Sequence, residues 1–105
     1  MNISAIEKEL RNFLDSDGKL IRYPAKGRLK ILSLFYLSSK LDAGKKYTEK
    51  QVNEVLNAWH CFSDWAMLRR DLCDRHFLGR EKSGAFYWLE ENQPTLEGFG
   101  LALIE

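Results

Sequence analysis

Residues 25–41 carry the strongest constraint in the chain. Length and composition predict a helix there, and Ile31, Leu32, Leu34, Phe35, Tyr36 and Leu37 project almost all round it. A helix that is apolar on every side has no face to give to water, so it is stable only where other elements surround it. The rest of the chain must supply that shell. The 105 residues suffice for one such core and leave little room for a second. With 45% hydrophobic and 30% charged residues, the composition is that of a globular domain rather than a disordered or fibrous chain. The sequence carries no internal repeat and no low-complexity tract.

The shell is legible as a series of short elements. Ser4 and Glu7 have capping-box spacing, and Ile6, Leu10, Phe13 and Leu14 share one helical face, which predicts an amphipathic helix over residues 5–14. Asp15-Ser16-Asp17-Gly18 stops it, and residues 19–24 read as an extended connector ending at Pro24. After Asp42-Ala43-Gly44, a short Lys45-Lys46-Tyr47 strand leads to a second capping box, Thr48 with Gln51. Val52, Val55, Leu56 and Trp59 mark the apolar face of the helix that follows. Only His60-Cys61-Phe62 separates it from the next one, capped by Ser63 or Asp64, in which Trp65, Leu68, Leu72 and His76 share a face. That is helix-turn-helix spacing. Residues 77–81, a Lys82-Ser83-Gly84 turn and the aromatic run 85–89 then form a hairpin, the position of a wing, with Tyr87 facing opposite to Phe86 and Trp88. Residues 91–105 hold Phe99, Leu101, Leu103 and Ile104, so they pack back on the domain or meet a partner.

Several classes of function find no support. Two cysteines, Cys61 and Cys73, are too few for a disulfide framework, and no stretch has the apolar length of a signal-peptide core or a membrane span; the expectation is a cytoplasmic protein without membrane contact. His60, Cys61, Cys73 and His76 match no zinc-site spacing, so no metal is expected. There is no phosphate-binding glycine loop, His-Glu-x-x-His motif or serine-nucleophile elbow, so neither an enzyme nor a cofactor is expected.

Three segments taken together, FLDSDGKLIRYPAKGRLK (13–30), YTEKQVNEVLNAWH (47–60) and LRRDLCDRHFLGRE with GAFYW (68–88), resemble a bacterial domain family of unknown function, found alone or attached to winged-helix transcription regulators. The resemblance implies a winged-helix fold and an association with transcriptional control, and it brings no catalytic residue or ligand with it. Residues 90–105 lie outside the pattern.

The expected architecture is mainly α with a small β hairpin: a winged helix-turn-helix over residues 25–90, preceded by an extra N-terminal helix and connector (1–24) and followed by a C-terminal extension (91–105), all in one structural domain. In such a protein the second helix of the pair meets base edges while the wing and nearby lysines hold phosphates. Net charge, +1, is uninformative, but residues 25–47 hold six Lys or Arg against Asp42 alone. Candidate nucleic-acid contacts are therefore Arg70 at the bases and Lys45, Lys46, Lys50, Arg80 and Lys82 at phosphates, and the basic segment reads equally as lysines that solvate helix ends. Arg69 reads as either a phosphate contact or, given its place at the core flank, a carboxylate partner tying its helix to neighbours, and Arg70 as either a guanine contact or a partner of Asp74. The outer face, Ala66, Met67, Arg70, Asp71 and Asp74, has one positive and two negative charges, which is poor for approaching phosphate. The expected function is duplex DNA binding as a transcriptional regulator. The alternative is a winged-helix interaction module that binds no DNA and forms a homodimer or holds a protein partner through the N-terminal helix or the C-terminal extension.

Overall fold

In the structure, a computed structural model that describes residues 2–102, helix α2 (Gly27–Ser38) runs through the centre and every residue from Ile31 to Ser38 is buried. Its two buried serines cost little because their hydroxyls donate to the helix's own carbonyls, Ser33 to Leu29 at 2.8 Å and Ser38 to Phe35 at 2.9 Å. The helix starts later than residue 25 and ends before residue 41. The chain enters through an extended Lys26 and through Gly27 at φ 80°, a conformation cheap only for glycine.

The shell differs from expectation in detail. Helix α1 (Ile3–Glu9) is capped by Asn2, whose side chain accepts from the Ala5 N–H, so Ser4 lies inside the helix and the Ser4/Glu7 box is not used. It ends short of Leu14, in a single 3-10 turn (Arg11–Phe13). Ile6 and Leu10 are fully buried, and α1 packs on α2. The Asp15 carboxylate then closes a tight loop by accepting from the Asp17 and Lys19 N–H groups, both at 2.9 Å, and these bonds, the Lys19 one foremost, hold its pKa below the usual carboxylate value. Leu20 bridges to Leu14 on one side and to His60 on the other, which ties the connector to the turn between the later helices.

Strand β1 (Tyr47–Thr48) leads directly into α3 (Glu49–Ala58) through a complete Thr48/Gln51 capping box. The α3–α4 turn is built on His60, which is buried; its Nδ1 lies 2.6 Å from the Leu56 carbonyl and its Nε2 accepts from the Asp64 N–H at 3.0 Å. Asp64, rather than Ser63, caps α4 (Trp65–Asp74) by accepting from the Met67 N–H. Leu68 and Leu72 face the core as expected, but Trp65 and His76 do not. Helical side chains lean toward the N-terminus, so at the first position of α4 Trp65 projects past the start of the helix, and it is 36% exposed. His76 lies beyond the end of α4 in the left-handed region, at φ 68°, where helical periodicity no longer sets its direction.

Strands β2 (Leu78–Arg80) and β3 (Phe86–Leu89) form the hairpin, and β1 completes a small three-stranded antiparallel sheet with β3 at its centre. The register pairs Tyr47 and Arg80 with Tyr87, and Gly79 with Trp88. Tyr87 is buried, Phe86 exposed and Trp88 half-buried, the expected alternation. The molecule is thus mostly helical with one small sheet. The segment after β3 packs back: Leu96 is buried, and the Phe99 ring stacks on Phe77 at 6.1 Å and meets Phe35 edge-on at 5.9 Å. Leu103 and Ile104 lie outside the described residues.

Candidate nucleic-acid interface

Helix α4 and the β2–β3 hairpin enclose an open groove of about 650 Å³, and its lining includes Arg69, Arg70, Cys73, Asp74, Arg80 and Tyr87. The register explains Arg80. Sitting opposite Tyr87, it leaves the sheet on the face turned toward the helices. Arg70 reaches the same groove from the exposed side of α4, so two of the sequence-predicted contacts are brought together.

Their neighbours on α4 are committed to packing. Arg69 donates to the Asn53 side chain and lies 3.3 Å from the Glu49 carboxylate, which also accepts from the Tyr87 hydroxyl at 3.2 Å. This knot joins α3, α4 and β3, and Arg69 is the carboxylate partner that its place at the core flank predicts. Asp71, expected on the outer face, is turned inward. It accepts from the Tyr23 hydroxyl at 2.8 Å and lies 3.7 Å from Lys30 Nζ; burial first, then Asp71, pushes the Tyr23 pKa well above the usual phenol range. The outer face therefore loses one of its two acids to the fold. What remains is Arg70 and Asp74, and no ion pair joins them.

Most cations of the basic segment have partners within the fold. Arg28 forms a bidentate pair with Glu9, Lys30 reaches Asp71, and Lys40 lies over the Trp59 ring at 3.9 Å. Lys45 sits over Tyr47 at 4.8 Å, and Lys46 pairs with Glu81 at 3.8 Å. Both border a shallow depression with Trp88 and Leu89, separate from the α4 groove. Lys50 in the first turn of α3 and Lys82 in the hairpin turn are exposed. Among the described residues, Arg70, Arg80, Lys50 and Lys82 make no ion pair or side-chain hydrogen bond.

Sequence reasoning passed over Gly79. A Cβ there would overlap the Trp88 indole and the Glu90 carboxylate, which are hydrogen-bonded to each other at 2.9 Å across the glycine. The signal was present, since a glycine inside a strand marks a close approach. Cys73, in the groove wall, has its thiol pKa raised by burial, which disfavours the thiolate form. Among the described residues no three His, Cys, Asp or Glu side chains gather as metal ligands.

No curated protein and no solved structure matches the chain. A family model does, the one described as "Uncharacterized protein conserved in bacteria (DUF2087)", over residues 19–89. The match runs from the connector after α1 through the end of β3, well over half of the sequence and all of the groove except Glu90, and the chain therefore belongs to the DUF2087 family.

Proposed function

We propose that this protein is a winged helix that binds duplex DNA in transcriptional control, with α4 in the major groove and the β2–β3 hairpin as the wing. The element order α2-β1-α3-α4-β2-β3 with strand order β1-β3-β2 supports the fold assignment. One observation carries the functional reading: Arg70 on α4 and Arg80 on the hairpin line one groove without partners, whereas Arg69 and Asp71 are absorbed by packing. Arg70 stands nearest the bases, with Arg80, Lys82 and Lys50 on phosphates. Lys45 contributes at the edge, and Lys46 less because Glu81 shares its charge.

Titration of fluorescent mixed-sequence duplex by anisotropy tests this. With about four phosphates neutralised, affinity falls about a hundredfold between about 50 and 200 mM salt, and replacing both Arg80 and Lys82 with alanine roughly halves the logarithmic slope. Absence of binding at the lower salt overturns the reading. It would favour the second one, a protein-interaction module, which has its own support in Trp65 and Phe86, large apolar side chains 36% and 37% exposed. In that case a concentration-dependent mass abolished by Phe86→Ser is expected. The N-terminal helix and the C-terminal extension are poorer docking surfaces, since Ile6, Leu10, Leu96 and Phe99 are spent inside the chain.

A further inference from the structure

We propose that Arg70 and Asp74 act as a pair that selects sequence, Arg70 taking a guanine and Asp74 the exocyclic amino group of a cytosine within about two base-pair steps. This rests on the duplex-binding reading and adds to it which bases are selected.

The starting point is that folding gives no account of Asp74. It is exposed, it makes no ion pair or side-chain hydrogen bond, and it is the last residue of α4, where the negative end of the helix dipole disfavours a carboxylate. Arg70 stands one turn earlier on the same face, but a cation placed N-terminal to an acid is the weaker orientation for a pair four residues apart, and the two remain apart. Both side chains line the α4–hairpin groove and are free to meet a third party.

A carboxylate entering a groove walled by phosphates is repelled unless it receives hydrogen bonds there. The major-groove edges of the bases decide which it can receive. Guanine offers only acceptors and thymine an acceptor and a methyl group, so both reject a carboxylate. Adenine sets its amino group beside the N7 acceptor, whereas cytosine presents its N4 amino group with no acceptor alongside. Arginine has the opposite complement and binds guanine O6 and N7 in bidentate fashion. Four helical residues advance about 6 Å, close to two base-pair steps of about 3.4 Å. Asp74 thus works largely by exclusion, making the wrong bases costly rather than adding affinity.

The test is selection of binding sites from a randomised duplex pool by the full chain, at about 50 mM salt, for the unaltered protein and for Asp74→Asn and Arg70→Ala. Both side chains are exposed, and circular dichroism checks that each variant keeps its fold. The unaltered protein is expected to select sites sharing a guanine and a cytosine within two steps. Asp74→Asn, which presents a donor and an acceptor together, replaces that cytosine by adenine, so that the preference for the original site over its adenine-containing counterpart falls by about tenfold. Arg70→Ala loses the guanine preference alone. If Asp74→Asn selects the same site as the unaltered protein, or if binding shows no sequence preference, the inference is overturned while duplex binding stands. If no duplex is bound at all, the duplex-binding reading itself has failed.

Discussion

Individual side chains in this protein divide by whether the fold uses them. Arg69 and Arg70 are adjacent and identical in type, yet one is tied to Glu49 and Asn53 and the other is free. The sequence separates them only through helical geometry, since a 100° step moves a residue from the flank of the core to the solvent. Gly79 is the residue where one added methyl group has the largest consequence, because Trp88 and Glu90 occupy the space a Cβ needs. Gly79→Ala should lower stability by about 1 to 3 kcal/mol through overpacking, read as a shifted urea midpoint at constant slope. An unchanged midpoint would mean that the indole swings aside at no cost.

At the level of elements, the clearest sequence signals became the clearest structures. The Thr48/Gln51 box forms with both of its hydrogen bonds, at 3.1 and 2.9 Å, and starts α3 where β1 ends. Thr48→Ala removes the cap and is expected to cost about 1 kcal/mol, measurable as a lower Tm, with Thr48→Ser restoring most of it. The box at Ser4/Glu7 had the same spacing but lost to Asn2, an equally good cap two residues earlier that adds Ile3 and Ser4 to the helix. The α3–α4 turn was legible as a short connection, but its architecture was not. That His60 would serve both helices, through Leu56 on one side and Asp64 on the other, follows from the turn's path in space.

For the whole molecule, the segment after β3 belongs to the core although it lies outside the family match. Phe99 packs on Phe35 of α2 and on Phe77 just before β2, so Phe99→Ala should lower stability by roughly 2 kcal/mol in chemical denaturation while leaving the mass in solution unchanged. A tail used only for docking would show the reverse. Folding divides the uneven charge of residues 25–47: Lys26, Arg28 and Lys30 line one depression with Arg75, while Glu9, Asp71, Glu81 and five aromatic rings partner the other cations or share these.

The sequence by itself determined the kinds and order of the elements, the all-round apolar helix that had to be central, the alternation in β3 and the Thr48 cap, because each depends on neighbours within one or two turns or a single strand. Only the tertiary structure decided which charges are left over. Whether Asp71 or Lys46 faces solvent or a partner depends on residues distant in sequence that share no periodicity with them: Tyr23 and Lys30 for Asp71, Glu81 for Lys46. A binding surface is what remains after such pairings are made, and local pattern carries no record of them.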